Sequence, residues 1–374
     1  MVTSEPGSRA PNCMWKGIPV SCGPEGMPTE TNLLYHNQGN GRFLDVSERS
    51  GVSRVTGSYS MTASAADLDG DGWVDIYVAC DTTASIFYRN NRDGTFTDIA
   101  LESGVAYSAD GERQAGMGLA VGDYNNDGLL DLFKTHFADE NPALYRNLGS
   151  GRFEDVAIES GLGVVNRYVE WGAGMPDLDN DGLSDLVYAT GHIYPQVERY
   201  LNRYPYRGPT MIFRNLGQGR FQNVTGRSGP GAMTPHSSRG AAFGDFDNDG
   251  DVDILVMNMN ERPALLRNDY RGTNGWIKVK LEGRRSNRAG LGATVRVRVG
   301  QLTQAQAVLS QSSYYSHDDL RLHFGLGKAK KADRIEVRWP SGIIDVLVNV
   351  SGQRILTVVE GSTGPIRDRK PSAD

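Results

Sequence analysis

Short apolar segments alternate with turns rich in glycine, asparagine and aspartate through most of the chain. Segments such as 76–79 and 254–256 are β-branched or aromatic and have the length of strands. A second pattern, an aromatic residue two positions before an Asn, then a glycine-containing turn and a Phe, predicts β-hairpins. These hairpin motifs lie at 35–43, 88–96, 145–153 and 213–221, with a truncated copy at 266–268.

An acidic nine-residue loop lies between two strands of each repeated unit. Its pattern is Asp-x-Asp/Asn-x-Asp-Gly-x-x-Asp, and its four copies start at Asp67, Asp123, Asp177 and Asp245. The copies are 56, 54 and 68 residues apart, and a period of this size indicates a repeat architecture. One unit of inner strand, loop, second strand, third strand, hairpin turn and fourth strand predicts a β-propeller blade. Strands of small residues, which suit crowding around a central axis, precede the last three loops at 116–120, 172–174 and 240–242.

The spacing of the acidic side chains predicts calcium sites. Oxygen atoms on alternate residues of a tight loop can converge on one centre, and Ca²⁺ accepts about six to eight oxygen ligands in a tolerant geometry. Glycine at position 6 permits the positive φ that turns the backbone, and the position-7 carbonyl is the natural backbone ligand. We therefore predict about four bound Ca²⁺ ions. The predicted ligands are Asp67, Asp69, Asp71, Trp73 and Asp75; Asp123, Asn125, Asp127, Leu129 and Asp131; Asp177, Asp179, Asp181, Leu183 and Asp185; and Asp245, Asp247, Asp249, Asp251 and Asp253.

Two alternatives to these sites were weighed. An EF-hand needs a bidentate Glu at position 12 and flanking helices, whereas position 12 is Val78, Lys134, Tyr188 or Val256. Asp- and Gly-rich stretches also occur as simple solvated turns. This second alternative is strongest for the second loop, where Asn125 replaces an aspartate.

Composition and charge narrow the class of protein. The chain has 374 residues, 39% of them hydrophobic, and no apolar run approaches the length of a membrane span. Of its 45 acidic residues 16 lie in the four loops, which leaves 29 against 39 basic residues. The net charge of −6 therefore comes from the loops, and four bound dications would bring it to about +2. This balance does not suggest a nucleic-acid-binding protein.

The N-terminal arm contains two of the three cysteines. Cys13 and Cys22 are compatible with a disulfide, with two free thiols or with a metal pair, and Cys80 is left over. No signal peptide is visible, and we favour an exported chain because calcium is abundant outside the cytoplasm. We expect the arm to lie against the propeller near the two cysteines and to cover an exposed blade edge.

The chain divides into four regions. We predict an N-terminal arm over 1–30, propeller repeats over 31–274, a β-sandwich-like domain over 275–360 and a disordered tail over 361–374. In the last two regions the acidic loops are absent, although strands in which Arg or Lys alternates with Val continue to about residue 338. The third repeat carries an insertion near 191–207, interpreted as a packed surface loop or a recognition loop. We interpret His136 and His192 as structural residues.

Several motifs resemble known families. The four acidic loops resemble the FG-GAP, or VCBS, repeats of integrin α-subunit propellers. The stretches Ser286–Ala293, Asp319–Gly327 and Val337–Gly342 resemble the ASPIC/UnbV domain, and Cys13–Pro24 is similar to a mid-chain segment of the same proteins. Together they are similar to bacterial relatives of the cartilage acidic protein family. The resemblance implies an all-β fold, with a calcium-binding propeller that is often seven-bladed and a C-terminal β domain.

The resemblance implies a secreted or surface protein and no particular reaction. The visible repeats account for four to five blades, so further blades are expected upstream in a longer precursor, in a partner subunit, or nowhere. We favour an extracellular or periplasmic binding, adhesion or scaffold module with a protein or glycan ligand. The alternatives are an enzyme with its site at the propeller mouth and a structural subunit of a larger surface assembly. The chain shows no nucleophile elbow, His-rich metal cluster or Gly-rich phosphate loop.

Overall fold

The structure is a computed structural model that describes residues 12–363, and this part of the chain is built almost entirely of β-strands. The strands are β1 (Asn12–Trp15), β2 (Ile18–Ser21), β3 (Tyr35–Asn37), β4 (Phe43–Asp45), β5 (Ser60–Ala66), β6 (Asp75–Cys80), β7 (Ile86–Asn90), β8 (Phe96–Asp98), β9 (Leu119–Gly122), β10 (Asp131–Lys134), β11 (Ala143–Asn147), β12 (Phe153–Asp155), β13 (Glu170–Gly174), β14 (Leu186–Thr190), β15 (Met211–Asn215), β16 (Phe221–Asn223), β17 (Ser238–Gly244), β18 (Asp253–Asn258), β19 (Ala264–Leu266), β20 (Gly275–Glu282), β21 (Thr294–Val299), β22 (Leu302–Ala307), β23 (Leu322–Gly327), β24 (Lys331–Arg338), β25 (Ile344–Ser351) and β26 (Arg354–Val359).

Helical structure is limited to single turns. The α-helical turns are α1 (Ser47–Ser50), α2 (Ala100–Ser103) and α3 (Gly229–Met233), and 3₁₀ turns occur at Val52–Arg54, Val197–Arg199 and Thr225–Arg227. Among the described residues, no helix is long and apolar enough to cross a membrane.

The predicted blade is observed in successive antiparallel sheets. Three sheets have four strands, in the orders β5-β6-β7-β8, β9-β10-β11-β12 and β13-β14-β15-β16, and a fourth has the order β17-β18-β19. In each sheet the acidic loop joins the first strand to the second, as the repeat pattern predicts. The all-β, propeller-type fold is therefore confirmed. The first hairpin motif forms a separate two-stranded sheet, β3-β4.

The last blade, β17-β19, has an exposed apolar face. Leu255, Met257 and Leu265 are between 41% and 51% exposed. The residues at the equivalent positions of the second blade are Phe133, Thr135 and Leu144, all of which are fully buried. Thr135 Oγ donates to the carbonyl of Trp171 in the next blade, so these positions form a blade-to-blade interface elsewhere in the chain. The last blade thus presents a blade-binding face that the described residues do not cover.

The C-terminal domain is a two-sheet β structure that fits the predicted sandwich. One sheet has the order β23-β20-β26, with β20 and β26 parallel, and the other has the order β22-β21-β24-β25. Ile277, Val295, Phe324 and Trp339 come from both sheets and form one apolar core. Of the predicted tail, residues 361–363 are described, and Gly361 and Thr363 donate backbone N–H groups to Asp345 at 2.7 and 2.9 Å.

A segment of the C-terminal domain runs along the inner strands of the propeller. This inner segment, residues 311–319, follows β22. Ser313 exchanges two backbone hydrogen bonds with Leu119 of β9, at 2.8 and 3.0 Å. Asp318 accepts the Phe243 N–H of β17 at 3.0 Å. The two domains are therefore packed together along the line where the blades meet.

The inner segment explains the small residues of the inner strands. A Cβ atom at Gly172 would lie 2.8 Å from Ser313 Oγ and 2.5 Å from the Ala241 backbone nitrogen, and a Cβ at Gly240 would lie 2.6 Å from Ser316 Oγ. The sequence correctly predicted crowding at these strands. Part of the crowding, however, comes from the C-terminal domain and not only from neighbouring blades.

The N-terminal arm forms a disulfide-closed hairpin, β1-β2. Cys13 and Cys22 are bonded to each other, which decides among the three alternatives, and Cys80 is buried and free. The Trp15 ring lies 4.9 Å from that of His192 and 5.0 Å from that of Tyr204, centroid to centroid. The hairpin thus packs on the insertion of the third repeat and not along the edge strand β19, so our expectation of an edge cover is not met by these contacts. Residues 1–11 of the arm lie outside the described residues.

The insertion is a packed loop, and both histidines have structural surroundings. His136 Nδ1 lies 2.7 Å from the Asn141 carbonyl oxygen, and the ring is completely buried. Burial lowers the pKa of His136 well below its usual value. Burial, with Arg239 nearby, also lowers the pKa of His192 to about 4. Both rings are therefore neutral at physiological pH.

Candidate metal sites

Two left-handed residues shape each acidic loop. The glycines at position 6 have φ of 92°, 85°, 91° and 101° in Gly72, Gly128, Gly182 and Gly250, as the sequence predicts. Position 4 is also left-handed, a feature that the sequence analysis missed, with φ of 79°, 60°, 57° and 61° in Gly70, Asn126, Asn180 and Asn248. Asparagine tolerates this conformation better than most residues. The two turns direct successive backbone N–H groups towards the acidic side chains of the same loop.

The aspartate at position 1 accepts the N–H of the position-6 glycine in all four loops. The glycine N–H donates to Oδ2 of Asp67, Asp123, Asp177 and Asp245 at 3.0, 2.9, 2.8 and 2.7 Å respectively. Position 5 similarly accepts the position-7 N–H, at 2.7 to 3.0 Å. These bonds fix Trp73, Leu129, Leu183 and Asp251, whose carbonyl groups we predicted as ligands; that role stays a prediction.

The aspartate at position 9 connects the loop to the third strand of its blade. Its Oδ2 accepts the position-2 N–H at 3.1 Å in every loop. Its Oδ1 accepts the N–H of the hairpin-motif asparagine at 2.7 to 2.8 Å. The four aspartates, Asp75, Asp131, Asp185 and Asp253, are almost completely buried.

Carboxylates converge in three of the four loops. In each of these loops, three carboxylate oxygens lie within 4.8 Å of one another. The groups are Asp67, Asp69 and Asp71; Asp177, Asp179 and Asp185; and Asp245, Asp247 and Asp253. The second loop differs because the amide of Asn125 donates to Asp127 Oδ2 at 2.8 Å.

The unmatched oxygens of these loops fit a bound cation. Asp67 Oδ1 and Asp179 Oδ1 are buried and have no hydrogen-bond partner, and a buried carboxylate oxygen without a partner is costly. Burial raises the pKa of Asp75, Asp123 and Asp185 to about 7, and neighbouring carboxylates add to the rise. The pKa of Asp177 is raised well above its usual value for the same reasons. A dication of calcium type would satisfy these oxygens and remove the repulsion.

The hairpin-motif asparagines connect neighbouring loops, a role that the sequence analysis did not assign. Asn147 Nδ2 donates at 2.8 Å both to the Leu130 carbonyl of its own loop and to the Leu68 carbonyl of the preceding one. Asn215 and Asn268 reach the preceding loop in the same way, both at 2.8 Å. The recurrence of Asn at one place in every hairpin was the available signal, but it was interpreted only as a turn residue.

The position-4 asparagines extend this network from loop to loop. Asn126 Nδ2 donates to the Gly182 carbonyl at 2.8 Å, and Asn180 Nδ2 donates to the Gly250 carbonyl at 3.1 Å. The second, third and fourth loops are therefore hydrogen-bonded in series. A change in one loop is transmitted directly to its neighbour.

The comparisons with known proteins agree with this architecture. The FG-GAP-like repeat family matches residues 23–78, 67–134 and 177–256, just over half of the chain, and the ASPIC and UnbV family matches residues 283–365. The chain is an FG-GAP repeat protein with a C-terminal ASPIC/UnbV domain.

Relatives of this FG-GAP and ASPIC/UnbV protein include cartilage acidic protein 1. The Homo sapiens protein is 26% identical over 328 residues, which cover 84% of this chain and 46% of the human protein. The Xenopus tropicalis protein is 26% identical over 387 residues, covering 85% and 58%. The chain thus spans about half the length of these relatives.

Two solved structures show weaker similarity to the FG-GAP and ASPIC/UnbV chain. One is an Agrocybe aegerita lectin that recognises non-reducing terminal N-acetylglucosamine, with a TM-score of 0.36 and 20% identity over 64% of this chain and 61% of the lectin. The other is the V. cholerae biofilm matrix protein Bap1, with a TM-score of 0.32 and 12% identity over 86% and 58%. Both TM-scores are too low to support a structural correspondence.

The raised carboxyl pKa values predict how metal-free stability depends on pH. A carboxyl titrates near 3.9 in the unfolded chain, whereas Asp75, Asp123 and Asp185 titrate at about 7 in the metal-free fold. The folded state therefore binds more protons between these values, so stability is present below pH 4 and is lost as the pH rises through 7. We expect the free energy of unfolding in chelator to fall by at most about 1.4 kcal/mol per pH unit for each such group.

Urea denaturation between pH 4.5 and 8, with EGTA or with calcium, measures this effect. Bound calcium neutralises the carboxylates and should flatten the profile. Metal-free stability that rises with pH across this range would contradict the assignment.

Proposed function

We propose that this chain is a calcium-binding β-propeller module of an extracellular or periplasmic protein, which serves in binding, adhesion or scaffolding. The observation that carries the proposal is the set of buried aspartates at loop positions 1 and 9, fixed by backbone N–H groups and short of positive charge. Calcium is the hard cation whose ligand number and tolerance suit such loops. Its role is structural, because the same aspartates hold neighbouring blades together.

The compartment follows from the chemistry of the site and of the cysteines. Loops of this kind are most useful where calcium is abundant. The Cys13–Cys22 disulfide suits an oxidising compartment. The FG-GAP-like repeats and the similarity to cartilage acidic protein 1 also suggest an extracellular repeat or binding module.

The partner is proposed to be a protein or a glycan that contacts the outer surface of the propeller. The inner segment occupies the inner strands of the blades, and Trp15 and its hairpin occupy the region of the insertion. Recognition by loops at an open central mouth is therefore less well supported than recognition by the blade faces.

Calcium titration tests the proposal. We expect isothermal titration calorimetry to find about four sites, and thermal unfolding to shift upward with calcium because only the folded loops form the sites. Magnesium is the matched control, since it prefers a stricter octahedral geometry and keeps its water ligands. Absence of both calcium binding and a calcium-dependent melting temperature would refute the proposal.

A structural subunit of a larger assembly is the second candidate, favoured by the exposed face of the last blade. Leu255, Met257 and Leu265 occupy positions that are buried between blades elsewhere in the chain. We expect Leu255→Glu to abolish any concentration-dependent self-association seen by sedimentation velocity. A wild-type chain that is monomeric across a wide concentration range would remove the support for self-assembly.

A further inference from the structure

Lys278 lies on β20 of the C-terminal domain and contacts the fourth acidic loop. Its ammonium group forms an ion pair with Oδ2 of Asp245, the position-1 aspartate. The two side chains are 1% and 0% exposed. Breaking a buried pair of this kind leaves an uncompensated charge in a poorly solvated place, which is strongly destabilising. Lys278 is therefore a fixed part of the loop's surroundings and not a mobile surface group.

The other loops have weaker or uncharged donors at the corresponding place. In the second loop, Asp123 Oδ2 accepts the neutral backbone N–H of Ala305, also from the C-terminal domain, at 3.1 Å. The arginines that pair with the first and third loops, Arg92 and Arg214, are 57% and 49% exposed. Exposed pairs contribute little because water and salt screen them. The fourth loop thus has a permanently buried positive charge on its first ligand.

The charge of the fourth loop matches this arrangement. It contains five aspartates, whereas the first and third loops contain four and the second contains three. The additional carboxylate is Asp251 at position 7, whose pKa is raised to about 6, mainly by burial. Arg321 of the same domain adds a second cation, because its guanidinium donates to Asn248 Oδ1 at 2.6 Å. More acid and more base are therefore combined here than in any other loop of the chain.

Lys278 approaches the carboxylate on the side that faces the backbone. Asp245 Oδ2 is the oxygen that accepts the Gly250 N–H, and the lysine ammonium contacts this same oxygen. Asp245 Oδ1 accepts the Asp249 N–H at 3.1 Å within the loop. The lysine is placed behind the first ligand and does not replace the loop's own oxygens. A cation in the loop and the lysine would then share one carboxylate and repel each other.

We propose that Lys278 is a resident counter-charge of the fourth loop, which holds Asp245 in place without metal and makes this loop the weakest calcium site. The proposal rests on the calcium-binding function proposed above. Because Lys278 belongs to the C-terminal domain, docking of that domain supplies part of the charge that calcium supplies in the other loops. The interface between the domains therefore remains formed when calcium is scarce.

The variant Lys278→Met tests this role in the full chain, because it removes the charge and keeps an aliphatic side chain of similar length. In EGTA we expect its melting temperature to fall by at least about 5 °C, because Asp245 loses its partner. In calcium the loss should be less than half as large, because the metal neutralises the same carboxylate. The weakest calcium site, measured by competition with a chromophoric chelator, should tighten on the order of tenfold or more.

Two further variants control for effects of packing. Lys280→Met changes the same residue type on the same strand, but its side chain is about half exposed and pairs with Glu282, so both readouts should stay as in the wild type. Lys278→Arg keeps the charge and should keep the wild-type difference between EGTA and calcium.

The outcomes separate this inference from the proposed function. A wild type that responds to calcium, with a Lys278→Met variant that loses equal stability in calcium and in EGTA, would show that the pair is structural and would overturn the inference alone. The same holds if Lys278→Met cannot be obtained folded even in calcium. A wild type that binds no calcium would refute the proposed function and the inference that rests on it.

Discussion

The burial of aspartate carboxylates at the seams between blades is the constraint on which the rest of the structure depends. Asp131 shows how it acts, because its Oδ2 holds the start of its loop and its Oδ1 holds Asn147 of the third strand. Asn147 in turn reaches the Leu68 carbonyl of the preceding loop. Each blade is therefore attached to its neighbour through a group that is costly to bury while charged. A bound dication removes that cost where the carboxylates converge.

The C-terminal domain belongs to the same network and is not an independent appendage. Ser313 pairs with the inner strand β9, Ala305 bonds to Asp123 and Lys278 bonds to Asp245. A propeller blade alone buries its inner strand only against other blades. Here the ASPIC/UnbV domain provides a second surface, which covers several loops at once. This arrangement explains why the repeats and the domain are packed as one body although they differ in fold.

Local sequence signals predicted the parts of the structure that depend on local geometry. The carboxylate spacing and Gly182 predicted the loops, because alternate residues and a positive φ are properties of a few adjacent residues. The aromatic-x-Asn motif predicted the hairpins for the same reason. The inner segment, Lys278 and the Asn147 side-chain bonds could not be predicted in this way. Asn147 and Leu68 are 79 residues apart, and their contact exists only when two blades have packed.

Amide hydrogen exchange with and without calcium tests the central claim most directly. If the loops are the seams of the structure, calcium should slow exchange in the loops, in the inner strands β9, β13 and β17, and in β22 of the C-terminal domain, which bonds to Asp123. Slowing confined to the loop residues themselves, with unchanged exchange in these strands, would contradict the claim that the carboxylates hold the blades and the domain together.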